Sequence, residues 1–178
     1  FGLFGTSPQV QTPLRAMLAD RGVDLHVQGF PAENPLFVWP GHFGWSLRMQ
    51  HEVSTWDPDM VIVQSMLFPD SDDAARRTAY SNAIVEIFDI ARSRGAHVYT
   101  VSHHVPPGTE WSRGREVAES LQAEAAASRQ IQRIPLDCWM ARCPDGVIGD
   151  GVHLTEKGQR CNALAIITAV DQLRSAVG

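Results

Sequence analysis

The tetrad Met60-Val61-Ile62-Val63, entered through Pro58-Asp59, limits most strongly how this chain can fold. Four apolar residues without polar alternation read as a strand buried on both faces, and such strands belong to parallel sheets covered by helices. Residues 98–101 and 131–136 have the same character. Residues 1–4 read as the end of a first strand, and residues 24–28 as a short strand after it.

Helical segments separate these runs. Thr12 is expected to cap the first, with Pro13 at the first helical position and Gly22 closing it. Val10, Leu14, Met17 and Leu18 fall on one of its faces. A second helix spans roughly residues 44–53. Ser71 is expected to cap a third, with Asp72 and Asp73 favourably placed at its positive end and Gly95 after its last turn. Its buried stripe reads as Ala79, Ala83, Ile84, Ile87, Phe88 and Ala91. Residues 113–128 form a weakly amphipathic helix. Thr155 caps a long terminal one whose apolar face carries Ala163, Ile166, Ile167, Val170, Leu173 and Val177. Residues 30–42 and 142–153 read as loops.

Strands alternating with helices imply a parallel sheet covered on both sides. Right-handed crossovers make this a three-layer α/β/α sandwich with a central parallel sheet. Ligands bind such sheets outside the carboxyl ends of the strands, so the loops after Phe4, Val63, Val101 and Leu136 gather along one edge. A length of 178 residues suits a single domain over residues 1–178. With a net charge of -5 and no basic patch, nothing invites nucleic acid. The apolar run at residues 163–170 falls well short of a membrane span. Starting at Phe1, the chain fits a mature protein or a domain cut from a longer one.

The three cysteines, Cys138, Cys143 and Cys161, permit one internal disulfide and leave a thiol over. A disulfide involving Cys138 or Cys143 is one reading and buried free thiols are the plainer one. The Cys-x4-Cys spacing lacks a matching His or Cys pair, so no metal site is expected.

Asp150 and His153 carry the strongest chemical signal. Three residues apart in a glycine-containing loop before a helix, they can meet in a compact turn. The carboxylate then fixes the imidazole tautomer and stabilises the imidazolium, leaving the other ring nitrogen as a general base. The alternative is a turn with a surface histidine and a solvated acid. His103-His104 ends a strand and reads either as pocket lining or as a capped loop pair. Trp39, Phe43 and Trp45 are candidates for a sugar- or acyl-binding wall, or for the edge of the core. Ser71-Asp72-Asp73 is better explained by helix capping than by a metal.

The segment Gly149-Asp150-Gly151-Val152-His153-Leu154-Thr155, followed by Gly158 and an apolar helix, resembles the last conserved block of SGNH/GDSL hydrolases, whose fold is flavodoxin-like. The resemblance implies that Asp150 and His153 are catalytic and that the nucleophile lies just after the first strand. That position is Ser7, in Gly5-Thr6-Ser7, with Thr6 where the family has Asp; a turn serine ahead of Pro8 is the plain alternative. The family's oxyanion glycine corresponds best to Gly44 in His42-Phe43-Gly44-Trp45-Ser46, with Gly41 as a second choice. Its oxyanion asparagine is missing. Where the family has Gly-x-Asn-Asp, this chain reads Gln64-Ser65-Met66-Leu67-Phe68-Pro69-Asp70. Either Gln64, Ser65 or a backbone amide substitutes, or the enzyme is slow or inactive.

Trp56-Asp57-Pro58-Asp59 with the strand after it, and Cys143-Pro144-Asp145-Gly146 ahead of Asp150, look like SGNH domains of actinobacterial cell-envelope acyltransferases. The resemblance runs from Gly5 to about Val170. It implies a serine esterase or O-acyltransferase acting on acyl esters of carbohydrate or lipid, without a cofactor. It further implies an extracytoplasmic location, with the cytoplasm as the alternative, and fusion to or association with a membrane acyltransferase. The competing expectation is a catalytically weak or inactive SGNH-like module that binds acylated glycan or docks on such a partner. A nucleotide-binding or receiver domain would need a phosphate loop or an acidic cluster at the strand ends, and the sequence has neither.

Overall fold

The apolar tetrad forms a strand, β1 (Met60–Val63). In the computed structural model β1 pairs in parallel with β2 (His97–Val101), in a register running from Met60↔His97 to Val63↔Thr100. The structure describes residues 8–27, 35–36, 40–41, 43–64, 73–102, 112–143, 145 and 155–177. Among them a third strand, β3 (Gln132–Ile134), lies beside β2, so the sheet order is β1-β2-β3. The expected class, α/β with a parallel sheet flanked by helices, is the one observed.

The chain packs as two compact units, residues 33–133 and residues 1–32 with 134–178. The first holds α2 (Trp45–Trp56), β1, α3 (Ala74–Arg92), β2, α4 (Ser112–Ser128) and most of β3. Its core joins Val63 and Val98 from the sheet to Ile84, Ile87 and Phe88 of α3 and Ala118 and Ala125 of α4. Tyr80 belongs to the α3 stripe, whereas Ala79 is exposed and Ala83 half-buried. Tyr80, Ile84, Ile87, Phe88 and Ala91 keep the i, i+4, i+7 helical spacing, and Ala79 sits one position off it. The α3 cap is Asp73, not Ser71. One Asp73 carboxylate oxygen accepts from the Ala75 and Arg76 amides at 2.9 and 3.4 Å. A carboxylate there satisfies orphan N–H groups and complements the helix dipole at once. Gly95 follows the last turn at φ +88°, a left-handed conformation that suits glycine.

One buried polar chain ties α4 to both strands. The Gln122 amide donates to the Thr100 hydroxyl, which donates to the Val63 carbonyl at 3.0 Å. At the surface, Arg129 forks onto Asp89 of α3 at 2.8 and 3.1 Å, and Arg92 donates to the Arg129 carbonyl at 2.7 Å. That guanidinium holds the Asp89 carboxyl below the usual carboxylate range, and Asp89 in turn raises Arg129.

The second unit holds α1 (Pro8–Ala19), α5 (Leu136–Ala141) and α6 (Glu156–Val177). Helix α1 begins at Pro8, earlier than the Thr12 cap expected for it. Proline is well suited to the first helical position because its missing N–H has no helical partner there. Leu14 and Leu18 are buried, and α1 packs on α6 with Arg21 paired to Asp171 at 2.8 Å. Gly22, at φ +68°, closes α1 as expected, and Val23 N–H returns to the Leu18 carbonyl at 2.9 Å.

Residues 23–27 are not a strand, contrary to the reading of 24–28. A strand exists only through a ladder partner, and residues 1–4, expected to begin the sheet, lie outside the described residues. The third apolar run is shorter than its 131–136 reading, because Leu136 already opens α5. In α6, Ala163, Ile166, Ile167 and Val170 are buried as expected, together with Ala165. Cys143 and Cys161 form the disulfide. The leftover thiol, Cys138, is exposed and not a buried apolar filler.

Candidate functional site

Ser7, Asp150 and His153 lie outside the described residues, as do Trp39, His103 and His104. The structure describes the residues on either side of the Asp150–His153 segment, Asp145 before it and Thr155 after it. Thr155, the cap of α6, accepts from the Gly158 amide at 3.2 Å and donates its hydroxyl proton to the Asp145 carbonyl at 2.8 Å. The described residues flanking 146–154 are thereby joined by a hydrogen bond. Outside that tie, the Cys143–Cys161 disulfide closes a second one, with the Cα atoms 6.4 Å apart. Asp145, Thr155, Glu156, Lys157 and Arg160 line a depression of about 450 Å³.

Gly44 is the N-cap of α2 at φ −60°, ψ 157°, a conformation open to any residue. A Cβ built on Gly44 meets nothing within 4 Å. Neither backbone strain nor packing among the described residues asks for glycine here, and glycine is itself among the residues favoured at a helix N-cap. Gly41 differs: at φ +87° its conformation alone accounts for the glycine. Beside Gly44, Phe43 is 72% and Leu47 59% exposed, whereas Trp45 is half-buried against the core. Of the three aromatics considered for a binding wall, Trp45 is a core-edge residue and Phe43 faces solvent.

Gln64 follows the last residue of β1. Both its amide nitrogen and its amide oxygen are buried, with no hydrogen-bond partner among the described residues. Asn162 of α6, fully buried, is in the same position. Sequence reasoning did not single out Asn162; its one signal was a polar residue within the buried stripe of the terminal helix. Among the described residues, no three His, Cys, Asp or Glu side chains converge as a metal would require. No described helix is long and apolar enough to cross a membrane.

No family model and no curated protein matches the sequence. Solved structures do resemble it. An acetyl xylan esterase superposes with a TM-score of 0.68 at 15% identity, over 94% of this chain and 97% of that one. An α/β hydrolase from the metagenome of Lake Arreo, Spain, also gives 0.68, at 17% identity, over 94% and 80% of the two chains. A protein from Slackia heliotrinireducens described as an SGNH hydrolase gives 0.67 at 18% identity, over 92% of each. The chain therefore has the α/β fold of these hydrolases.

Proposed function

We propose that the chain is a serine ester hydrolase of the SGNH kind, acting on acyl esters of carbohydrate or lipid through an acyl-Ser7 intermediate. One observation carries the reading: the segment bearing Asp150 and His153 is fastened at both ends directly ahead of α6. A pair that must hold an imidazole in one tautomer and one orientation needs such a mounting. The hydrolase fold and the sterically open Gly44 amide support the same reading.

In this mechanism the Ser7 hydroxyl oxygen attacks the ester carbonyl carbon as its proton passes to His153. Asp150 orients the ring and stabilises the imidazolium. The N–H groups of Ser7 and Gly44 donate to the carbonyl oxygen as it becomes negative. Collapse breaks the bond to the alcohol, which leaves with the proton from His153. Water, deprotonated by His153, then attacks the acyl-serine and releases the acid. A sugar or lipid hydroxyl in place of that water makes the same chemistry an O-acyl transfer. An envelope location and a membrane acyltransferase partner belong to that version.

The test is hydrolysis of p-nitrophenyl acetate by the wild-type chain and by Ser7→Ala and His153→Ala. Both variants should lose turnover while their melting temperatures hold. Full activity in Ser7→Ala would discard the nucleophile. A wild type that binds acylated sugars but hydrolyses no short-chain ester would point to a non-catalytic module.

A further inference from the structure

We draw no further inference here: the strongest candidate, the exposed apolar side chains of Phe43 and Leu47 at the amino-terminal end of α2, carries nothing because nothing in the structure shows what covers them.

Discussion

Removing the Cys143–Cys161 disulfide tests whether this crosslink supports the proposed site, since residues 146–154, which carry Asp150 and His153, lie between its two cysteines. The crosslink closes a ring across 18 residues of sequence. Loop-closure entropy for a ring of that size amounts to about 3 kcal/mol of stability. For a chain of this length each kcal/mol moves the midpoint by roughly 2–4 °C, so the expected fall is about 6–12 °C. Thermal melting followed by circular dichroism, with and without a phosphine reductant, measures it directly. The double variant Cys143→Ala/Cys161→Ala should melt like the reduced wild type and no longer respond to reductant. Cys138→Ala should melt like the oxidised wild type, since the Cys138 thiol is exposed and free. The loss should reach turnover as well, because the Thr155–Asp145 hydrogen bond alone would then hold the ends of residues 146–154. An unchanged midpoint on reduction would refute the reasoning. So would peptide mapping that finds Cys138 joined to Cys143.

Two further outcomes follow from the core and the surface. Thr100→Val removes both the acceptor for Gln122 and the donor to the Val63 carbonyl, so urea unfolding should show a loss of about 1–3 kcal/mol. Adding Gln122→Leu should recover part of that loss, because no buried amide nitrogen is then left unpaired. The Asp89 carboxyl is held down chiefly by its hydrogen bond from Arg129. Its contribution is fully present above the unfolded value of about 3.9 and is lost as pH falls through the lower folded value. Because both partners are solvent-exposed the effect is small, and Asp89→Asn should flatten only the acid end of the stability–pH curve.

Different parts of the molecule were legible in the sequence to different degrees. Met60–Val63 announced a buried parallel strand because nothing polar interrupts it, and β1 pairs with β2 accordingly. The α3 stripe was readable from its period, apart from Ala79 standing in for Tyr80. Its cap was misplaced because Ser71, Asp72 and Asp73 are all good N-cap residues, and the local sequence does not say which amides each oxygen reaches. Helix α5 went unread because six residues are too few to establish a period. Pairing of Cys143 with Cys161 depends on how α6 packs, which the spacing of three cysteines does not encode. Gly44 and Gln64 were both named from sequence, but their surroundings are visible only in three dimensions. For Gly44 these are an unstrained φ and open space, and for Gln64 they are two buried amide atoms. Ser7, Asp150 and His153 stand on the sequence motif together with the ties around residues 146–154.

The central claim is that Ser7 is a nucleophile activated by His153. Incubating the chain with a fluorophosphonate and mapping the adduct by peptide mass spectrometry tests it most directly. The account predicts a single phosphonyl adduct on Ser7, formed in the wild type and absent in His153→Ala on the same timescale. An adduct on another serine, or equal labelling of Ser7→Ala, would contradict it.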